Sequence, residues 1–196
     1  MKPFSQACEN NKAPILARLQ DYFADRYRVL EIGSGTGQHA VYFAEAMPHL
    51  HWQCGDRQEN HAGIQQWLQE AQLDNVSPPA ELDADANRWD VGQYDAVFSA
   101  NTLHIMSWGQ VERTFQHLAN VLLPTAKLAI YGPFNYDGKF TSDSNARFDQ
   151  WLKTQIAHQG IRDFEAVNEL AESIGLQLQN DFAMPANNRL LCWQHC

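Results

Sequence analysis

Three glycines spaced two apart, Gly33, Gly35 and Gly37, stand between an apolar run that reads as a strand, Tyr27 to Ile32, and a helical pattern carried by Ala40, Val41, Phe43 and Ala44 that Pro48 stops. Strand, glycine turn and helix in that order direct the chain to an α/β fold, with the turn at the carboxyl end of a buried strand. Glycine lets the backbone turn tightly there and lets a ligand approach it without an intervening side chain. The helix that follows presents unpaired N–H groups and the positive end of its dipole, a place where an anionic group can sit without a cationic side chain. Gln38 stands where a dinucleotide site of the G-x-G-x-x-G type has its third glycine. That departure disfavours a nicotinamide-dependent oxidoreductase.

The alternation continues along the chain. Ile15, Leu16, Leu19 and Phe23 predict an amphipathic helix before the first strand. Leu50 to Cys54 predicts a second strand, and Ile64, Trp67 and Leu68 a helix after it. Pro78-Pro79 predicts a turn, followed by a short strand at Ala80 to Leu82 and a polar loop at Asp83 to Asp90. Tyr94 to Ala100 is apolar with little alternation, as in a central strand covered on both faces, and Gln110 to Leu122 supplies a covering helix that ends before Pro124. Lys127 to Tyr131 reads as a strand, Gly132 to Lys139 as an aromatic-rich loop, and Asn145 to Ala157 and Phe164 to Ile174 as helices. Leu176 to Phe182 and Arg189 to Trp193 predict an antiparallel pair joined through Met184 to Asn188, giving seven strands in one domain over 1–196.

Composition narrows the partners. With 23 acidic and 14 basic residues the chain carries a net charge of −9, which repels a phosphate backbone and argues against nucleic acid. No apolar stretch has the length of a membrane span and the first residues lack a secretion signal, so a cytoplasmic protein with no membrane partner is expected, as a monomer or a homodimer. Cys8, Cys54, Cys192 and Cys196 show no paired ligand spacing, so reduced thiols and no metal are expected.

Asp56 follows the second strand, 23 residues after Gly33, close to the interval at which an acidic side chain grips ribose hydroxyls; a helix cap is the alternative. Asn101 ends the strand beside the expected cleft, and His104 lies just beyond it, where an imidazole serves as a general base or merely starts a helix. Trp108, Phe134, Tyr136 and Phe140 bring rings near the carboxyl edge of the sheet, as walls of an acceptor pocket or as core. The segment with Glu9, Asn11 and Lys12 is a candidate lid, with Asn11 at the substrate.

The run Val29 to Gly37 resembles the first motif of the class I S-adenosylmethionine-dependent methyltransferases. The resemblance implies that Glu31, Gly33, Gly35 and Gly37 belong to the cofactor motif, that Asp56 binds the ribose, and that Asp83 faces the adenine, with Asp85 as its competitor. Asn101 occupies the place of that family's fourth motif, but Thr102 and Leu103 follow it instead of the Pro-Pro-Tyr of nucleobase amino-methyltransferases. Phe4 to Lys12, Ser99 to Trp108 and Met184 to Asn188 further resemble the methyltransferase-like protein 26 family over essentially the whole chain. That likeness implies a Rossmann-like, seven-stranded, mostly parallel sheet of order 3-2-1-4-5-7-6, strand 7 antiparallel, with helices on both faces. It also implies methyl transfer from S-adenosylmethionine to a small-molecule acceptor. A cofactor-binding sensor without catalysis is the alternative.

Overall fold

The computed structural model describes residues 2–196. The chain runs α1 (Gln6–Tyr22), β1 (Arg28–Ile32), α2 (Gln38–Ala46), β2 (His51–Asp56), α3 (Gln58–Ala71), β3 (Val76–Glu81), β4 (Tyr94–Ala100), α4 (Trp108–Val121), β5 (Leu122–Gly132), β6 (Phe134–Asn135), α5 (Asp143–Gln155), β7 (Arg162–Asp163), α6 (Phe164–Ser173), β8 (Leu176–Met184) and β9 (Asn188–His195). Seven strands form one sheet in the order β3-β2-β1-β4-β5-β9-β8. Numbered within that sheet alone the order is 3-2-1-4-5-7-6, and its seventh strand, β9, is antiparallel to both neighbours. The pairings among β1 to β5 are all parallel.

Side-chain alternation divides the interior into two layers. Leu30 and Ile32 of β1, Val97 of β4 and Leu128 and Ile130 of β5 pack with Val111, Phe115 and Leu118 of α4 and Val167 of α6. Val29, Ala96, Phe98 and Ala129, one residue out of phase, pack with Ile15 and Leu19 of α1, Phe43 of α2 and Ile64 of α3 on the opposite face. No described helix is long and apolar enough to cross a membrane.

Three local expectations are corrected. Pro78 and Pro79 lie inside β3 and not in a turn before it. β3 is an edge strand, and its register against β2 shifts between Gln53 and Gly55, so the two prolines fall in an irregularity of the pairing. α4 ends ahead of Pro124 as expected, but β5 begins at Leu122 and not at Lys127, and it holds Pro124 in a bulge where the register against β4 shifts between Tyr94 and Ala96. The aromatic-rich segment after Gly132 is ordered into β6, which pairs with β7 as a separate two-stranded sheet.

Gly55 in β2 illustrates how closely the strands approach. A Cβ there would lie 2.8 Å from the Glu31 carbonyl oxygen and 2.2 Å from Leu82 Cδ1. Backbone cannot yield as a side chain can, so Gly55→Ala is expected to cost about 1–3 kcal/mol. A lowered urea midpoint with an unchanged slope checks this.

Candidate active site

The carboxyl ends of β1, β2 and β4 open on a cavity of about 720 Å³, within the range of small-molecule sites. Gly33, Gly35 and Gly37 have φ of +74°, +58° and +89°. At Gly33 a Cβ would meet Thr102 Oγ1 at 2.5 Å, and at Gly37 the Ile64 backbone at 3.2 Å, whereas at Gly35 it would stand in nearly open space. Gly33 and Gly37 thus serve packing and the turn, while Gly35 leaves backbone bare to the cavity.

Asp56 ends β2 and is 8% exposed at the cavity wall. Its Oδ2 accepts the Gly35 N–H at 2.6 Å, and Oδ1 accepts the Arg57 N–H at 2.7 Å and Asn60 Nδ2 at 2.8 Å. It binds the loop and the start of α3 at once. Asp83 also lines the cavity, and its Oδ1 accepts the Asp85 N–H at 2.8 Å. Asp85 itself faces Gln110 Nε2 at 2.8 Å and the Arg113 guanidinium, which hold its carboxyl below the usual range. Of the two aspartates, Asp83 is the one at the cavity.

Glu31 is not at the cavity surface. It is 1% exposed beneath the loop, on the face of β1 that meets Trp52. Trp52 Nε1 and Ser34 Oγ donate to its Oε2 at 3.1 and 2.8 Å, and Ser34 Oγ in turn accepts the Gly55 N–H at 3.0 Å. Glu31 therefore shapes the loop from below. Burial pushes its carboxyl up to about 7, against the two hydrogen bonds, with the nearby Asp56 charge adding to the rise. In the unfolded chain the group ionises near 4.5, so the folded state gives up stability as pH rises from there through about 7. Glu31→Gln, which keeps size and an acceptor oxygen, is expected to remove that slope, about 3 kcal/mol between pH 4.5 and 8. Urea midpoints measured across that window check it.

A second cavity of about 520 Å³ adjoins the first, and Ala7 and Asn101 line both. Asn101 follows β4 with φ +57°, its N–H donating to the Tyr131 carbonyl at 2.9 Å. The loop after it is fixed at both ends. Ser107 Oγ accepts the Gln110 N–H at 3.2 Å while Gln110 Oε1 accepts the Ser107 N–H at 2.9 Å, capping α4. Arg162 of β7 donates to the Leu103 carbonyl at 3.1 Å and to that of Met106, and the Gly160 N–H donates to the His104 carbonyl at 2.9 Å. The result presents His104 to the second cavity. Its ring is 7% exposed, meets Phe148 edge-on at 5.4 Å between centroids, and makes no hydrogen bond to another described side chain or backbone group. Burial, and then the Arg162 charge, lower its pKa to about 4. The imidazole is neutral at physiological pH.

The lid expectation is corrected in its residues: Glu9, Asn11 and Lys12 do not line the first cavity, and the residues ahead of them do. Pro3, Ser5, Ala7 and Cys8 line it. The Trp67 indole N–H donates to the Pro3 carbonyl at 2.7 Å, and Gln38 accepts the Ser5 N–H at 2.5 Å and donates to Glu9 Oε1 at 2.8 Å. Gln38, which breaks the dinucleotide spacing, is thus the clasp that holds this segment. Asn11 lines the second cavity, with its Oδ1 2.6 Å from His39 Nε2.

The aromatic expectations are corrected. Phe134 is 2% exposed in the core, and Trp108 packs half-buried on the same layer. Tyr136 stacks on Phe164 with centroids 5.2 Å apart and donates its hydroxyl to Asp181 Oδ2 at 2.7 Å. None of the three lines either cavity: the pairing of β6 with β7 turns Phe134 and Tyr136 inward, and Trp108 packs on the core from the start of α4. Residues not singled out from sequence take their place: Tyr131, Asn145, Phe148, Asn187 and Asn188 surround the second cavity, and His39 lies behind Asn11. Only the asparagines of the turn 184–188 carried any signal, and it read as chain reversal.

The fold is that of class I methyltransferases. It is similar to an O-methyltransferase family protein from Burkholderia thailandensis, at TM-score 0.82 and 18% identity, covering 94% of this chain and 56% of that one. It is similar to human N-acetylserotonin methyltransferase in complex with SAM, at TM-score 0.79 and 14% identity, covering 97% and 53%. An O-methyltransferase family 2 protein from Planctomyces limnophilus in complex with apigenin gives TM-score 0.76 and 14% identity, covering 94% and 62%. The chain spans between about half and three fifths of the length of these proteins. By sequence it belongs to the family described as "Protein of unknown function (DUF938)", which matches residues 2–195.

Proposed function

We propose that the protein is an S-adenosylmethionine-dependent methyltransferase whose first cavity holds the cofactor and whose second holds a small-molecule acceptor. The observation that carries this reading is the meeting of the two cavities at Asn101, with an unpartnered neutral imidazole, His104, on the acceptor side. The residues present fit the cofactor. Asp56 offers carboxylate oxygens to ribose hydroxyls, Asp83 an acceptor to an adenine amine, and Gly35 a bare backbone wall. S-adenosylmethionine, when bound, supplies a methyl group already activated by its sulfonium.

The chain's own residues then have three tasks. The clasped segment from Pro3 to Cys8 covers the cavity and limits water. Asn101, rigid in its left-handed conformation, stands at the junction and orients what meets there. His104 takes the proton that an acceptor hydroxyl releases. The resemblance to the methyltransferase-like protein 26 family supports the same reading without naming an acceptor.

Calorimetric titration with S-adenosylmethionine, S-adenosylhomocysteine and NADH tests the cofactor. Micromolar binding of the first two is expected, and no binding of either, or tighter binding of NADH, overturns the reading. S-adenosylhomocysteine release dependent on an added acceptor separates an enzyme from a sensor.

A further inference from the structure

Thirteen asparagines are spread over the chain, and six of them, Asn10, Asn11, Asn101, Asn145, Asn187 and Asn188, line the second cavity. No Asp, Glu, Lys or Arg lines it, in a chain with 23 acidic and 14 basic residues. The two ionisable side chains that do, His104 and Tyr131, are both held neutral by burial, which lowers the imidazole and raises the phenol. A carboxylate entering this space finds no cation, and an ammonium finds no anion, so either is desolvated without compensation.

At the wall formed by α5 and the turn 184–188 the free hydrogen-bonding capacity is that of acceptors. Asn145 Nδ2 spends both hydrogens, on Thr141 Oγ1 at 2.9 Å and the Asn187 carbonyl at 3.1 Å, and its Oδ1 has no described donor. Asn187 Nδ2 donates to Ser144 Oγ at 3.1 Å, and its Oδ1 likewise has none. With the unpartnered His104 ring these are sites that want an O–H from the occupant. Phe148, Pro133 and Pro185 supply the apolar part of the wall. Backbone strain gathers here as well: Asn101, Ala186 and Asn187 have φ of +57°, +57° and +58°, three of the six non-glycine residues with positive φ among those described.

We infer that the second cavity selects an uncharged acceptor carrying several hydroxyl groups, recognised by the amide oxygens of Asn145 and Asn187, and that one hydroxyl oxygen receives the methyl group. This rests on the methyl-transfer reading. A lone pair of the acceptor oxygen forms the O–CH3 bond as the S–CH3 bond breaks, its electron pair remaining on sulfur and neutralising the sulfonium. The hydroxyl proton goes to His104 and from there to water.

The test is binding in the presence of saturating S-adenosylhomocysteine, which permits no turnover. Ligand-observed NMR compares matched triplets: methyl glucoside, glucuronate and glucosamine on a pyranose, and 4-hydroxybenzyl alcohol, 4-hydroxybenzoate and 4-hydroxybenzylamine on a benzene ring. At least one triplet is expected to bind, with the uncharged member at least tenfold tighter than either charged one. Asn187→Gly, which keeps the left-handed backbone, and Asn145→Leu are each expected to weaken that member at least tenfold with S-adenosylhomocysteine affinity unchanged. A charged member that binds as tightly, a complete absence of binding, or indifference to Asn187→Gly overturns the acceptor assignment and leaves the cofactor reading standing. Failure to bind S-adenosylhomocysteine at all overturns the reading beneath it. Should Asn145→Leu fail to fold, Asn187→Gly decides alone.

Discussion

Asp56→Ala is expected to weaken S-adenosylmethionine binding more than 100-fold, measured by calorimetry at fixed ionic strength. The carboxylate is 8% exposed and held by three donors, the Gly35 and Arg57 N–H groups and Asn60 Nδ2, so it is pre-oriented before any ligand arrives. Two ribose hydroxyls donating to such a carboxylate contribute roughly 1.5–3 kcal/mol each, and losing them together exceeds two orders of magnitude in affinity. The loss has a second origin in the loop, since without Asp56 the Gly35 N–H no longer has its acceptor. Asp56→Asn separates the two: it keeps one carbonyl oxygen near Gly35 and is expected to fall between wild type and alanine. An alanine variant that binds the cofactor as wild type does would remove Asp56 from the site and with it the assignment of the first cavity.

The sheet was legible because its signals are local and repeated. Apolar runs at 27–32 and 94–100 match β1 and β4 within a residue, and the glycine turn lies where the strand–helix order requires it. Asp56 was legible through its spacing from Gly33 and Asp83 through the family resemblance, and both line the cavity. What failed were inferences that needed a long-range contact. Phe134 and Tyr136 read as pocket walls because aromatic residues in a loop suggest a ligand. Phe134 pairs with Arg162 of β7, and Tyr136 meets Phe164 and Asp181, all from chain segments that no local pattern connects to them. Glu31 shared a motif with the glycines yet points to the opposite side of β1 from Ile32, into Trp52, as the period of two in a strand demands. The asparagine-lined cavity was illegible for the same reason. Its amides come from α1, the loop after β4, α5 and the turn before β9, and only the closed fold brings them together.

The position of His104 gives the other large effect. His104→Ala is expected to lower turnover about 1000-fold while leaving the affinity for S-adenosylhomocysteine unchanged, within the range by which a positioned base assists proton transfer. Burial and Arg162 lower the imidazole pKa to about 4, so the neutral, proton-accepting form predominates throughout the neutral range. Only the unprotonated ring can accept a proton, so activity is expected to be flat from about pH 6 to 8 and to fall as pH drops through about 4. A low pKa makes His104 a weak base, which suits a step in which methyl transfer makes the acceptor proton strongly acidic and the base has only to receive it. His104→Gln separates chemistry from packing, because it keeps a hydrogen-bonding side chain beside Phe148 but cannot take the proton. It is expected to fold and to bind cofactor as wild type does, with kcat reduced about as far as in the alanine variant and the acid limb near pH 4 gone. Retention of wild-type kcat in either variant would assign the ring to packing against Phe148 and leave Asn101 and water as the groups at the junction of the two cavities.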